Sequence, residues 1–479
     1  MLENYKEANN LSIKASAYKD SVYNINLEVI KKIDKDNYTR VYVDKARRFH
    51  NTYSSGMGEV EVGFEKTKWV DLLTFGLTYS QNKNQLQTGV SVNTVYGGKW
   101  TENHYLMPSI KFRKDNFLTK GLYANMYVNY SDSRNLNRDT ALHRYDWSGN
   151  WQANSTDTSF VEQQFEKFND KSFVGRANFN YSLDEEQNNS LNLNYTFSTT
   201  DRKTYDLTEA ADRQDRSGLP KRLGKHIVGL AWQSQWFQKR LISVATVKYY
   251  AMQMMATIDK RPRDVYGAPI GNDFITTNSF FGYPSASVAV RYRLVADLGI
   301  KASVERGYNL PEVTGIFGDG QTVSANLDLK PERSDNFNFG AYFNHFFGDH
   351  YINLDASAFY RDYKDYVSSR IDTSDKSNSK SISVNIPGVK SSGMEAEAKY
   401  GYKDMLQISG NFSYNKVVNS EKYSDASHSQ IDASYNKQIP NQPWIYGNAS
   451  VMLAKRDLIG KGTRLQFNYS YQFVHWFYL

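Results

Sequence analysis

Apolar and polar positions alternate along almost the whole chain. Leu191, Leu193, Tyr195 and Phe197 are separated by Asn192, Asn194 and Thr196. Met394, Ala396, Ala398 and Tyr400 are separated by Glu395, Glu397 and Lys399, and Leu406, Ile408, Gly410, Phe412 and Tyr414 by Gln407, Ser409, Asn411 and Ser413. Leu465, Phe467, Tyr469, Tyr471 and Phe473 repeat the pattern around Gln466, Asn468, Ser470 and Gln472. A period of two puts one set on each face of a β-strand. One face is therefore apolar, and the other carries amides, hydroxyls and charges. No long stripe at helical spacing competes with this pattern, and no repeat of about 20–50 residues points to a propeller or solenoid.

The pattern predicts strands at 10–17, 21–31, 36–44, 57–65, 70–80, 104–113, 121–131, 172–182, 189–200, 226–238, 241–256, 284–292, 298–306, 334–346, 351–364, 393–401, 405–415, 444–454 and 463–475. Most are near the roughly 9–11 residues that a tilted strand needs to cross a bilayer. Soluble strands average nearer five or six. The connections alternate between short and long. Lys239-Arg240, Phe347-Gly348-Asp349-His350 and Tyr402-Lys403-Asp404 are short, whereas 132–171, 201–225, 257–283, 307–333, 365–392 and 416–443 are long. Short turns at one end and long loops at the other are the habit of a transmembrane antiparallel β-barrel. The first connection, 18–20, breaks the rule, being short where a long one is due.

Composition fits this all-β reading. Mean hydropathy is −0.65, too polar for helical spans, but a barrel strand faces lipid with alternate residues only. No run approaches the eighteen or so apolar residues of a membrane helix. With 36 Tyr and 26 Phe among 479 residues, the chain is rich in side chains that suit a membrane interface, above all Tyr with its one apolar and one wet end. The absence of cysteine excludes disulfides and Cys-ligated metal sites. The net charge of +7, from 58 basic and 51 acidic residues, is spread thinly, so no nucleic-acid partner is expected. The opening Met-Leu-Glu-Asn-Tyr-Lys has no signal-peptide core. An exported barrel needs one, so the reading is of a portion of a longer chain.

A run of motifs resembles the TonB-dependent outer-membrane receptor family. Ser303-Val304-Glu305-Arg306-Gly307-Tyr308-Asn309-Leu310-Pro311 is followed by Ile316-Phe317-Gly318, then by Asn326-Leu327-Asp328-Leu329-Lys330-Pro331-Glu332-Arg333-Ser334. Ala358-Phe359-Tyr360-Arg361-Asp362-Tyr363, Gly393-Met394-Glu395 and Ile439-Pro440-Asn441-Gln442-Pro443 follow in the family's order. The resemblance implies a barrel of the 22-stranded type with a plugged lumen. It also implies a bacterial outer-membrane location, a TonB energy-coupling complex acting through a plug domain, and a small solute such as a ferric chelate as cargo. About nineteen strands are read here by pattern, so residues 1–479 are expected to form an incomplete barrel domain lacking the plug and the last strands. An odd count would bring parallel neighbours together at the seam.

Leu310, Pro311, Leu329, Lys330, Pro331 and Glu332 form the centre of the resemblance and are read as architectural. Pro331 fixes φ and lacks a donor, so it belongs before a strand. Ligand contacts are expected in the long loops. Arg134, Arg138, His143, Arg144, Tyr145, Trp147 and Trp151 lie in one, and Arg261, Arg263, Tyr266, Phe280 and Phe281 in another. Of these, Arg134, Arg138, Tyr145, Trp147, Trp151, Tyr266 and Phe281 are the candidate ligand residues. Cations beside aromatics suit an anionic, aromatic chelate such as a ferric siderophore; the plainer reading makes them girdle residues and solvated loop charges. Haem is disfavoured, because haem receptors of the family carry a histidine near the signature and 307–334 has none.

Catalytic signals are absent: no H-E-x-x-H, no phosphate-binding G-x-x-x-x-G-K-[ST] and no nucleophile elbow occur. No enzyme, cofactor or metal site is expected, and His345 and His350 read as lone surface histidines. Three functions remain in view: a receptor for energy-coupled import, a passive porin-like channel, and a gene fragment without activity. Porins lack the Leu-Lys-Pro-Glu signature, which favours the first over the second.

Overall fold

The computed structural model describes residues 48–476 apart from 89–94, 140, 142–144, 151–163, 208–220, 260–273, 320–321, 373–379 and 424–428, together with four short strands between 10 and 47. Those four are β1 (Asn10–Ser12), β2 (Leu27–Lys32), β3 (Tyr38–Val43) and β4 (Lys45–Arg47). They form two small antiparallel sheets, β1 with β4 and β2 with β3. The wall strands expected at 10–17, 21–31 and 36–44 are thereby corrected in their described parts, and the short connection expected at 18–20 lies outside the described residues.

The wall begins with β5 (Tyr53–Glu65), β6 (Leu72–Gln85), β7 (Lys99–Lys114), β8 (Leu122–Asp139), β9 (Gln164–Ser182), β10 (Asn189–Asp206), β11 (Lys221–Trp236), β12 (Leu241–Asp259), β13 (Phe274–Arg293) and β14 (Leu298–Asn309). A five-residue helix α1 (Val313–Phe317) and the two-residue β15 (Val323–Ser324) come next. The wall resumes with β16 (Glu332–Phe347), β17 (His350–Ile371), β18 (Ser381–Tyr402), β19 (Leu406–Asn419), β20 (Ile445–Arg456) and β21 (Arg464–Val474). Every long strand pairs antiparallel with its successor, and the strand order closes into a barrel in which β21 lies next to β5. A residue-by-residue ladder joins fifteen successive pairs of long strands, and among the described residues none joins β21 to β5.

All sixteen expected strands from 57–65 onward are present. Sixteen is even, so the first and last long strands run in opposite directions, and the parity conflict expected from nineteen does not arise. Short turns (66–71, 115–121, 183–188, 237–240, 294–297, 348–349, 403–405, 457–463) all lie at one end, and long connections (86–98, 140–163, 207–220, 260–273, 310–331, 372–380, 420–444) at the other. Several strands run farther toward the long-loop end than the pattern shows. The reason is physical: alternation marks only the stretch where one face is apolar, and a strand with two polar faces still pairs its backbone.

The ladders carry one assignment of faces around the wall. Val60, Val62 and Phe64 of β5, Phe75, Leu77 and Tyr79 of β6, Val228, Leu230 and Trp232 of β11, and Phe337 and Phe339 of β16 point outward and are exposed. Water would make such a belt costly, at about 25 cal/mol per Å² of apolar surface; lipid removes the cost. Facing inward are polar partners from strands two apart in the wall: Lys111 with Glu61, Lys248 with Glu305 at 2.6 Å, and Lys301 with Asp355 at 2.6 Å. Asn178 donates to Asn192 (3.0 Å) and to Asn194. Among the described residues no helix is long and apolar enough to cross a membrane; the crossing elements are strands.

Candidate functional site at the barrel mouth

The connection from Leu310 to Pro331 folds inward as a strap. Pro311 sets the chain's exit from β14, and the following residues make α1, whose Ile316 and Phe317 are buried. These two pack with Leu310 and Leu329 against Leu223 of β11 and Tyr250, Met252, Met254 and Ala256 of β12. Met252 is 0% exposed and Ile316 0%. Face parity explains the match. Leu223 on β11 and the even-numbered residues of β12 point into the lumen, and from Tyr250 to Ala256 those of β12 are Tyr, Met, Met and Ala. Burying each large side chain is worth about 1.5–3 kcal/mol, so the strap has a core of its own.

Polar contacts then carry the strap across the opening. Lys225 Nζ reaches the Leu310 carbonyl (3.4 Å) and the Glu312 carboxylate (2.9 Å). Arg202 of β10 forks onto Asp170 of β9, with bonds of 2.7 and 2.6 Å, and donates a further hydrogen bond to the Gly318 carbonyl. Gly318 has φ 73°, a turn that residues with a Cβ adopt poorly. Asn137 Nδ2 of β8 donates to the Asp319 carbonyl (3.0 Å), and the Asp319 carboxylate accepts Thr322 N and Val323 N, both at 2.8 Å. On the far side β15 pairs in parallel with β18 at Ser381 and Ile382. Asn326 Nδ2 donates to the Ser383 carbonyl (2.8 Å), and Asn385 Oδ1 accepts Lys330 N (2.9 Å). The strap is thus held by β8, β10 and β11 on one side and by β18 on the other.

The signature residues serve this strap. Leu310, Pro311, Leu329 and Pro331 are buried and Lys330 is exposed. The Glu332 carboxylate accepts Val367 N at 2.9 Å. Asn137, Asp170, Arg202, Lys225 and Asp319 were not singled out by sequence. Nothing in the sequence could have paired Asn137 with Asp319, 182 positions apart.

The candidate ligand residues that are described are not gathered in one place. Arg134 and Arg138 lie in β8 rather than in a loop. They are on the face opposite to Asn137, which places them on the outside of the wall. Trp147 is 1% exposed, with the Arg48 guanidinium 5.9 Å from its ring. Its turn is closed by Asp146, whose carboxylate accepts Ser148 N (2.8 Å) and Asn150 N (2.9 Å). Tyr145 meets Phe49 at 5.9 Å between ring centres. Phe281, in β13, faces inward and packs against the core under the strap. Trp151 and Tyr266 lie outside the described residues, as do His143, Arg144, Arg261 and Arg263.

The two histidines beside the β16–β17 turn are engaged separately. His345 Nδ1 meets Asp297 Oδ2 at 2.8 Å, and His350 Nδ1 meets the Tyr400 hydroxyl at 2.7 Å. Among the described residues no group of three or more His, Cys, Asp or Glu side chains is placed to hold a metal ion.

A family model described as "TonB dependent receptor-like, beta-barrel" matches residues 61–473. No curated protein matches the sequence. Solved structures do match in fold. The copper transporter OprC superposes with TM-score 0.61 at 13% identity, covering 88% of this chain and 63% of its own. The ferric yersiniabactin uptake receptor FyuA from Yersinia pestis gives 0.57 at 14%, covering 89% and 60%. The siderophore receptor PiuA from Acinetobacter baumannii gives 0.57 at 13%, covering 92% and 71%. The chain therefore spans somewhat less than two thirds of the length of the first two and more of the third. All three are transporters or receptors, not enzymes.

Proposed function

Because the chain belongs to the TonB-dependent receptor β-barrel family, we propose that it is the barrel portion of a receptor for energy-coupled import of a scarce solute, a ferric siderophore or a similar metal chelate. The family is one of the bacterial outer membrane. In this reading the long loops face outward, the solute is met at the mouth, and a TonB complex supplies the energy through a plug segment inside the lumen. The observation that carries the reading is the strap. A passive pore gains nothing from a buried apolar core in its entrance, whereas a receptor needs a shaped mouth that holds cargo until transport is triggered. Deeper in the lumen, Arg291, Lys301, Asn344, Asn353, Asp355, Glu397 and Lys399 line a polar cavity of about 450 Å³. A plug segment would find alternating charge to pair with there.

The test is uptake by cells making the full natural protein, with radiolabelled iron offered in turn as hydroxamate, catecholate and carboxylate chelates. The expected result is accumulation of one class, abolished by an uncoupler of the proton-motive force. Equal flux with and without the uncoupler would leave a passive channel instead.

A further inference from the structure

The outside of β6 to β10 changes character abruptly along the strands. Its apolar belt ends with Leu77, Tyr79, Leu106, Tyr130, Phe173 and Tyr195, all exposed. Follow the ladders one or more outward-facing positions toward the long-loop end. One rung joins Asp132 to Lys171, and the next runs from His104 through Arg134 and Asn169 to Lys203. The one after pairs Lys83 with Glu102 and Leu136 with Lys167; the last pairs Trp100 with Arg138 and Arg138 with Phe165. Six cations, Lys83, Arg134, Arg138, Lys167, Lys171 and Lys203, thus sit immediately beyond the belt.

Three carboxylates share this face, and each has a hydrogen-bonded or ion-pair partner other than Lys83, Arg138, Lys167, Lys171 and Lys203. Glu102 meets His104 at 2.9 Å, Asp132 meets Arg134 at 3.2 Å, and Asp201 meets Arg222. Among the described residues no ion pair engages Lys83, Arg138, Lys167, Lys171 or Lys203. Instead Lys83 Nζ lies 4.4 Å from the centre of the Trp100 ring. Arg138 is 5.8 Å from the same ring and 5.4 Å from that of Phe165. An interfacial Trp flanked by cations is the arrangement expected at headgroup depth.

We propose that this outward face of β6 to β10 holds an anionic lipid headgroup carrying more than one phosphate. The inference rests on the membrane-spanning reading of the barrel. The site faces away from the lumen, so a solute on its way inward does not meet it. It is continuous with surface that only acyl chains can cover, which identifies the occupant as a lipid rather than a soluble anion. Adjacent strands lie about 4.8 Å apart, so cations on neighbouring strands can engage several phosphate oxygens at once. A solvated strand tip would need neither the surplus of cations nor the stacked indole.

The experiment uses the full chain in micelles of a neutral detergent. Native mass spectrometry measures retention of three probes: lipid A (a bis-phosphorylated glucosamine lipid), its dephosphorylated form, and phosphatidylcholine. The chain should retain lipid A over the other two, and the combined variant Lys83→Gln, Arg138→Gln, Lys167→Gln should weaken that retention by about tenfold or more. The exposed outward set Lys364→Gln, Lys390→Gln, Lys416→Gln on the opposite wall should change it less than about twofold. All substituted residues are at the surface, so folding is checked by the shift in gel mobility on heating. Equal retention of lipid A and its dephosphorylated form, or equal retention by both variants, overturns the proposal. So does complete displacement by inorganic phosphate, which would show a free-anion site. Insertion into phosphatidylcholine vesicles is measured separately: a chain that fails to insert refutes the membrane reading, whereas one that inserts but ignores lipid A refutes only the headgroup site.

Discussion

Two inward-facing methionines have opposite surroundings. Met252 on β12 is 0% exposed, beneath the strap, while Met57 on β5 is 72% exposed, beside the seam with β21. Both strands follow the same alternation and both side chains point into the same lumen. A barrel this wide cannot fill its interior with wall side chains alone. It acquires a core only where chain is brought inward, as happens along β11 and β12 and, through Ile439, beside Val389 of β18 and Val417 of β19. Near the seam none of the described residues covers the inner face, and every residue of β21 is exposed. The difference shows that a lumen-facing position in this fold has no fixed environment; what reaches it from the mouth decides whether it behaves as core or as surface.

Removing the two methionine side chains should give the widest separation. Met252→Ala is expected to destabilise by about 2–5 kcal/mol, the range for a large buried side chain cut to alanine, and Met57→Ala by no more than about 0.5 kcal/mol. Urea unfolding of the barrel in micelles measures both. Equal costs would mean that the strap contributes no core.

Next in size is the clasp between wall and strap. Arg202 is largely buried, with its side chain 8% exposed, and Asp170 is 22% exposed. Arg202→Ala leaves the Asp170 carboxylate and the Gly318 carbonyl unpaired, at a cost of about 3 kcal/mol. The strap should then become open to chymotrypsin after Phe317, which is buried in the intact clasp. Arg202→Lys should restore little, since an ammonium cannot reproduce the two-pronged contact. Undiminished protection in Arg202→Ala would leave the apolar core as the sole anchor.

The smallest effect is expected at the opposite end of the same sector, in the turn between β9 and β10. There the Asp184 carboxylate accepts Asn188 N and Asn189 N, both at 2.7 Å. The hydrogen bond from Asn188 N leads in holding its pKa below the ordinary value, against a smaller opposing effect of burial. A lowered folded-state pKa stabilises the fold above the unfolded value, near 3.9, and the benefit is lost as pH falls through the folded value. Asp184→Ala should therefore lower the melting temperature at pH 7, and the gap from the parent should close in strong acid. A gap independent of pH would assign the turn's stability to backbone bonds alone.

Much of the wall could be read in advance because its cause is local. Strand parity, as in Leu465 to Phe473, needs only neighbours two positions apart, and turns such as Lys239-Arg240 declare themselves by brevity. The same locality explains the failures. Leu27–Lys32 and Tyr38–Val43 fall within segments that alternate like wall strands but pair in a small sheet of their own, because alternation reports an apolar face without naming the sheet that receives it. Arg134 and Arg138 read as loop residues because β8 continues past the apolar belt, where no periodicity marks it. Trp147 has a ligand-contacting composition around it and a core environment in fact.

Sequence alone determined the all-β class, the spacing of the strands, the polarity of the two ends and the place of the Leu-Lys-Pro-Glu signature, since each depends on short-range pattern and backbone chemistry. Tertiary structure decided that the signature folds across the mouth, that Arg202, Asn137 and Ser381 receive it, and that cations flank Trp100 on the outer wall. Those contacts join residues brought together by ring closure and strand register. Their energies depend on distance and desolvation, quantities that take values only once the barrel has formed.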